Sequence, residues 1–240
     1  MKSLFIILVL FLGCNSTPSA SSFDHSAFDK LLKLNVNEKG LVNYEGFKNN
    51  DSFKKYLKRI GDASVDKFSE LEKLAFYINT YNALIIKNVL DHPNIKSPMD
   101  VDGFFKKIKF KVAGEHITLD ELEHNYTLKI DGALPHFGLV CGAISCPKLI
   151  PKAYNSKDVF KQLKENAKDY LSDETKNYYD KETDTLYLSE IFNWFKGYFE
   201  AKYGSSIKTV KLLSTREIGL DISSATKVKY LKYNWELNEQ

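Results

Sequence analysis

The segment from Lys67 to Leu90 constrains the fold more than any other part of this 240-residue chain. It contains neither Gly nor Pro, and in its middle the apolar residues cover most of the circumference of a helix. Such a helix has to be covered by protein on nearly all sides, because its apolar surface would otherwise stay in contact with water. The segment therefore predicts a long central helix around which the rest of the chain packs.

Three polar residues, Asn79, Tyr81 and Asn82, interrupt the apolar surface of this helix. Buried side-chain amides need hydrogen-bond partners, and residues three apart in a helix lie on the same face. We expect Asn79 and Asn82 to be buried and to hold a neighbouring loop against the helix. A direct role of the three side chains in ligand binding or catalysis is the alternative.

The rest of the chain shows short elements of both kinds. We expect further helices at residues 23–34, 53–60, 118–129, 158–171, 189–199 and 206–213, and strands at residues 110–112, 116–117, 136–141, 185–188 and 228–235. The fold class is therefore α+β: a long central helix packed on a small, mainly antiparallel sheet, with further flanking helices. No internal repeat or low-complexity block interrupts residues 23–240, which predicts a single domain.

We expect any chemistry of this protein to lie in the stretch His136 to Pro147, HFGLVCGAISCP, since it holds a histidine and two of the three cysteines. The apolar run after Pro135 predicts a buried strand. The strand would lead into a tight turn at residues 141–146, which we call the cysteine loop. A loop carried by a rigid strand is a common support for functional side chains.

The N-terminus resembles a bacterial lipoprotein signal. A short charged region precedes an apolar run, Leu4 to Leu12, that is too short to span a bilayer as a mature helix. Gly13 and Cys14 follow, so we expect residues 1–14 to be the signal peptide up to the lipidated Cys14 and residues 15–22 to be a flexible tether. An ordinary secretory signal is the alternative. The expected location is the bacterial cell envelope, facing the periplasm or the cell surface.

Composition limits the other partners. The formal net charge is only +3, and the lysines are spread along the chain. A positive patch that would single out a nucleic acid is therefore not expected, and the pattern indicates no cofactor. The hydrophobic and charged fractions, 43% and 27%, are typical of globular proteins.

The two remaining cysteines allow several kinds of site. Their oxidising compartment, even number and close spacing favour a Cys141–Cys146 disulfide in a binding or scaffold module. The second hypothesis is a hydrolase or transferase in which His136 or His124 activates one of the thiols. A zinc site formed by His136, Cys141 and Cys146, with His124 or Glu123, is the third. Thiol–disulfide exchange is the fourth.

Five sequence blocks together resemble the domain of unknown function 547 family. The blocks are FYINTYNALII (residues 76–86), ITLDELEH (117–124), HFGLVCGAISCPKL (136–149), LSEIFNWF (188–195) and YLKYNWELN (230–238). The resemblance implies a domain without an assigned activity that occurs in bacterial envelope proteins and in eukaryotes. The family usually has an arginine shortly after the Glu123–His124 pair. Lys129 is the nearest basic residue here, which weakens the case for a bidentate anion contact.

Replacing Cys14 with Ser should abolish partitioning of the protein into a detergent phase, because the acyl chains would be attached at this cysteine. Detergent phase separation of cell extracts followed by immunoblotting measures this. The Ser16→Ala variant keeps the cysteine and should partition like the wild type. If Cys14→Ser partitions unchanged, the lipid anchor is refuted.

Overall fold

Helices form most of the architecture in the computed structural model, which describes residues 22–214 and 222–240. The predicted signal peptide, Cys14 and the tether up to residue 21 lie outside the described residues. The helices are α1 (Ser26–Asn35), α2 (Asp51–Gly61), α3 (Glu70–Asp91), α4 (Leu119–Glu121), α5 (Leu128–Ile130), α6 (Val159–Ser172), α7 (Ile191–Trp194), α8 (Lys196–Tyr203) and α9 (Ser206–Leu213). None of the helices in these two ranges is long and apolar enough to cross a membrane.

Helix α3 is the predicted central helix, and its surroundings confirm the prediction. Every residue from Leu74 to Ile86 is buried. The helix begins three residues later than the apolar pattern indicates, because Ser69 caps its N-terminus. The Ser69 hydroxyl accepts a hydrogen bond from the Glu72 amide, and the Glu72 carboxylate accepts one from the Ser69 amide. This reciprocal arrangement satisfies two amides that a helix otherwise leaves unpaired.

The strands form two small sheets, so the α+β class is confirmed. In the first sheet, β1 (Lys109–Val112) and β2 (Glu115–Thr118), which correspond to the predicted strands at residues 110–112 and 116–117, form an antiparallel hairpin. Its two turn residues, Ala113 and Gly114, both have positive φ angles of 49° and 87°, as expected for the tight turn that matches strand twist. In the second sheet, the central strand pairs antiparallel with one neighbour and parallel with the other. These strands are β3 (Tyr178–Asp180), β4 (Thr185–Ser189) and β5 (Lys227–Leu231).

The predicted helix at residues 118–129 is present but changes its winding. Helices α4 and α5 flank a π-helical segment, Leu122–Thr127. Thr118 caps the start, since its hydroxyl accepts from the Glu121 amide and the Glu121 carboxylate accepts from the Thr118 amide. Single π-helical turns are rare and occur frequently at functional sites. This segment packs against α3, so the residues Glu123 and His124 lie beside the central helix.

The predicted strand at residues 136–141 is wrong. Residues Leu134–Phe137 form a short 3₁₀ helix, and the chain from Gly138 to Cys141 is irregular. Pro135 lies in the first turn of this helix, where its missing amide costs nothing. The backbone carbonyl of Gly138 and the backbone amide of Val140 pair with a side chain of helix α3 and not with a neighbouring strand.

Two asparagines of α3 use both polar atoms of their side-chain amide to bind backbone: the nitrogen donates one hydrogen bond and the oxygen accepts another. The amide of Asn82 donates to the Gly138 carbonyl at 2.9 Å, and its oxygen accepts from the Val140 amide at 3.0 Å. Asn79 makes the same pair of bonds with both backbone groups of Tyr154, at 2.8 and 2.9 Å. Asn82 thus holds the chain that leads into the cysteine loop. Asn79 holds a later segment and not that loop.

The Asn82→Leu variant should lose about 2–4 kcal/mol of unfolding free energy, because it leaves a buried carbonyl and a buried amide unpaired at a cost of about 1–3 kcal/mol each. Asn88→Leu is the matched comparison. Asn88 donates only one hydrogen bond, to the Phe104 carbonyl, and its own oxygen has no partner. Its loss should be about half as large. Urea unfolding measures both, and equal losses would contradict the role assigned to Asn82.

Candidate functional site

A pocket of about 180 Å³ lies where α3, the α4–α5 segment, the cysteine loop and the C-terminal segment (residues 232–240) meet. It collects most of the residues that the sequence indicates for chemistry. Its walls consist of Tyr81, Phe105, Lys106, Asp120, Glu123, His124, His136, Leu139, Cys141, Cys146, Ile191, Trp194, Phe195, Tyr233 and Trp235. Asn79 and Asn82 do not line it, but Asn82 is bonded to Gly138 and Val140, on either side of the lining residue Leu139.

The cysteine loop carries the Cys141–Cys146 disulfide, as predicted. Gly142 turns the chain with a φ angle of 85°, a conformation that side-chain-bearing residues rarely adopt. The C-terminal segment fixes the loop by backbone bonds from Ile144 to Glu236 at 2.8 Å and from Ser145 to Asn234 at 3.1 Å. The sulfurs are therefore held on one side of the pocket by a part of the chain almost one hundred residues away.

Tyr233 lies over the disulfide. Its hydroxyl donates to the Cys146 sulfur at 3.2 Å and lies 3.3 Å from the Cys141 sulfur. Burial raises the pKa of Tyr233 well above its usual range, so the phenol keeps its proton. The backbone amide of Cys141 also donates to the Cys146 sulfur, at 2.9 Å. Two donors therefore converge on Cys146, the more deeply buried of the two cysteines.

Glu123 is the acidic group inside the pocket, on the π-helical segment. Its side chain is only 14% exposed. Burial raises the pKa of its carboxyl group to about 7, against the lowering effect of the nearby His124. Asp120 adds to the rise, whereas a hydrogen bond from the Tyr81 hydroxyl lowers the pKa. The carboxyl group therefore keeps its proton to a higher pH than an ordinary glutamate does.

His136 is a second ionisable group in the inner part of the pocket, and it is 3% exposed. Its ring lies against that of Phe195, with centroids 3.9 Å apart. Burial, together with the nearby His124, lowers the pKa of His136 to about 3, so the ring is neutral. Its Nδ1 lies 3.7 Å from a carboxylate oxygen of Glu123, and its Nε2 has no hydrogen-bond partner.

His124 and Asp120 lie closer to the pocket mouth, and both are about one-third exposed. The His124 Nδ1 donates to the Asp120 backbone carbonyl at 3.0 Å. The side chain of Lys106 approaches the Asp120 carboxylate at 3.7 Å. This outer shell is hydrated, so its charges are screened far more than those of the interior.

Aromatic rings form the mouth of the pocket, and sequence reasoning missed their role. Trp194 stacks on Trp235 with centroids 5.7 Å apart, and both rings contact Tyr233. Phe105 lies against Trp235 on the other side. Trp194 is 48% exposed although it is large and apolar. Both tryptophans fall in the sequence blocks at residues 188–195 and 230–238, which was the available signal.

The geometry does not provide a metal centre. Within residues 22–214 and 222–240, no group of three or more His, Cys, Asp or Glu side chains is arranged to hold a metal ion. The predicted zinc ligands Cys141 and Cys146 are bonded to each other, whereas zinc binds thiolates.

The fold and the pocket define an α+β domain with a disulfide beside a cavity that is walled by aromatic and ionisable side chains. Residues 65–171 match the family described as "Protein of unknown function, DUF547", which confirms the resemblance to this family over that part of the chain. Comparisons with curated proteins and with solved structures gave no significant match. The matched residues include Glu123, His136 and the cysteine loop, whereas the aromatic mouth at residues 194 and 233–235 lies beyond them.

The Glu123→Gln variant should become more stable relative to the wild type as the pH rises from about 4.5 to 7. The folded wild type holds a proton that the unfolded chain releases above its ordinary pKa, so the wild type loses stability across this window. The relative gain should reach about 3 kcal/mol, since one pKa unit corresponds to about 1.36 kcal/mol. Urea unfolding at a series of pH values measures it.

His136 affects the pH dependence of stability in the opposite direction. Its pKa is lower in the folded protein than in the unfolded chain, so its contribution to the free energy of unfolding grows as the pH rises from about 3 to 6.5. Both proteins contain His136, so its effect cancels in the comparison. Glu165→Gln, at an exposed position of α6, should differ from the wild type by a constant amount. A pH-independent difference for Glu123→Gln as well would show that the carboxyl titrates normally.

Proposed function

We propose that this chain is a lipid-anchored lipoprotein of the bacterial cell envelope whose domain is a ligand-binding module. The anchor at Cys14 attaches it to the membrane through the tether at residues 15–22. The Cys141–Cys146 disulfide supports this location, because disulfides persist in oxidising compartments such as the periplasm. The pocket beside the disulfide supports the binding role.

The observation that carries the binding role is the unpaired Nε2 atom of His136. A buried polar atom without a partner costs about 1–3 kcal/mol, and this one belongs to a residue that lines an open pocket. A hydrogen-bond donor on a ligand would supply the missing partner, because the neutral ring has an acceptor nitrogen. The carboxyl group of Glu123, close to the same ring, offers a second acceptor.

The walls indicate the chemistry of the ligand. Aromatic faces attract cations and planar groups, and the acids Asp120 and Glu123 face the same space. Lys106 lies 3.7 Å from Asp120, so it offsets part of that charge at the mouth. A pocket of about 180 Å³ suits a compound with one ring. We therefore propose a small ligand with an apolar ring and a positively charged amine.

The hydrolase or transferase reading requires a free thiolate. Both sulfurs are joined in the disulfide, so that reading applies only to a reduced form. One observation favours sulfur chemistry of some kind. The same pocket is lined by Cys141, Cys146, His124, His136 and Glu123. The zinc reading has no such support.

Benzylamine should bind about tenfold more tightly than benzoate, with benzyl alcohol between them, because a cation–π contact or a partly desolvated ion pair contributes about 1–2 kcal/mol. Intrinsic fluorescence measures binding at this pocket, since the two tryptophans of the chain, Trp194 and Trp235, both line it. The three compounds share one aromatic ring and differ only in the polar group, so titrations with them compare the effect of that group alone.

Three variants identify the groups responsible. Glu123→Gln should remove most of the preference for the amine, whereas Glu165→Gln should leave it unchanged. His136→Phe keeps a ring against Phe195 but removes the acceptor, so benzylamine and benzyl alcohol should both bind more weakly. Equal binding of all three compounds by the wild type would refute the ligand class, and no binding at all would refute the pocket as the site.

A further inference from the structure

Both cysteines of the disulfide line the pocket. Cys141 is half-buried and Cys146 is buried, yet each contributes to the cavity wall. A molecule bound in the pocket therefore lies against an S–S bond. Disulfides react with thiolates wherever the thiolate reaches a sulfur along the bond axis, and Cys141 is the more exposed of the two cysteines.

The two sulfurs are not equivalent. The amide of Cys141 donates to the Cys146 sulfur alone, whereas the hydroxyl of Tyr233 donates to the Cys146 sulfur at 3.2 Å and lies 3.3 Å from the Cys141 sulfur. Lys176 lies close by: its ammonium group donates to the Cys146 carbonyl at 3.0 Å and is paired with the Asp173 carboxylate at 3.2 Å, so Asp173 offsets part of its charge. Donors and cations stabilise a thiolate more than a thiol. Negative charge that develops in the loop is therefore best accommodated on Cys146.

We propose that Cys141–Cys146 is a thiol–disulfide exchange centre that oxidises a small organic thiol entering the pocket. Cys141, the more exposed cysteine, is the sulfur that is attacked, and Cys146 is the leaving group. Tyr233 is a positioning and stabilising residue for the departing sulfur. This activity goes beyond ligand binding, and it does not require the amine recognition proposed above.

The reaction balances as two exchanges. A small thiolate RS⁻ bonds to the Cys141 sulfur, the bond between Cys141 and Cys146 breaks, and its electron pair leaves on Cys146 as a thiolate. A second RS⁻ then bonds to the R sulfur of the mixed disulfide and releases the Cys141 thiolate. The net change is that two RS⁻ become RSSR while the protein disulfide takes up two electrons.

The charged and titratable groups around the sulfurs come from every neighbouring element. From α3 and the α4–α5 segment these are Tyr81, Asp120, Glu123 and His124, with His136, Lys106, Asp173, Lys176 and Tyr233 from elsewhere. Burial disfavours the ionised form of Glu123 by raising its pKa, and the Asp120 carboxylate lies 3.7 Å from the Lys106 ammonium group. Anionic repulsion of the incoming thiolate is thus limited, and a neutral thiol such as 2-mercaptoethanol is the appropriate probe.

The first test finds which sulfur is attacked. The native full-length protein is exposed briefly to 2-mercaptoethanol, quenched with N-ethylmaleimide and mapped by peptide mass spectrometry. The mercaptoethanol adduct should lie on Cys141 and the maleimide on Cys146. The opposite assignment, an equal mixture, or a disulfide that stays intact until the protein is unfolded in urea would each overturn the proposal.

The second test measures the two thiols of the reduced protein separately, from the pH dependence of iodoacetamide labelling at each cysteine. The pKa of Cys146 should lie at least one unit below the ~8.5 of a free thiol, and that of Cys141 should not. Tyr233→Phe keeps the ring and removes one donor, so it should raise the pKa of Cys146 and slow the first exchange severalfold. Tyr230→Phe, in β5, is the control and should change neither.

A purely structural disulfide predicts two thiols with ordinary pKa values and no effect of Tyr233→Phe on either, and this result would overturn the proposal even if every variant folds normally. The outcome is independent of the binding experiments, which use compounds without sulfur and leave the disulfide intact. Failure of amine binding with successful exchange, or the reverse, therefore separates the two proposals.

Discussion

The paired hydrogen bonds of Asn82 are the contact on which the pocket depends. They connect the most deeply buried helix to residues 138–140, the part of the chain that leads directly into the cysteine loop. A helical side-chain amide here takes the place of a neighbouring strand, since it offers one donor and one acceptor to the backbone. Asn166 of α6 acts similarly on the carbonyls of Phe137 and Lys148. Irregular backbone can therefore be buried without leaving its polar groups unpaired.

The same burial gives the pocket its chemical character. It raises the pKa of Glu123 to about 7 and lowers that of His136 to about 3, because a low-dielectric environment disfavours whichever form is charged. An acid and a base thus lie side by side with little charge on either at mildly acidic pH. Beside them, the hydroxyl of Tyr233 and the amide of Cys141 converge on the Cys146 sulfur. Recognition of a ligand and reactivity of the disulfide therefore share one cavity while depending on different atoms.

Elements with local causes were predictable from the sequence. Helix α3 follows from an apolar pattern without Gly or Pro, and the hairpin of β1 and β2 follows from strand-forming residues around Ala113 and Gly114. The capping exchange at Thr118 involves residues three apart in sequence. The Cys141–Cys146 bond also joins near neighbours, so compartment and spacing were enough to favour it. Even the burial of Asn79 and Asn82 followed from the apolar residues around them.

The sequence by itself thus determined the α+β class, the central helix and the residues on one side of the site, while the tertiary structure decided how the site is closed. The segment at residues 136–141 has the composition of a strand, but its hydrogen-bond partners are helical amides and not a strand. Tyr233 and Trp235 alternate as strand residues do, but β5 ends at Leu231, and the following segment binds the cysteine loop. Tyr233 meets Cys146 across 87 residues. Contacts at that separation depend on how whole elements pack, because no local pattern records which distant backbone groups remain to be paired.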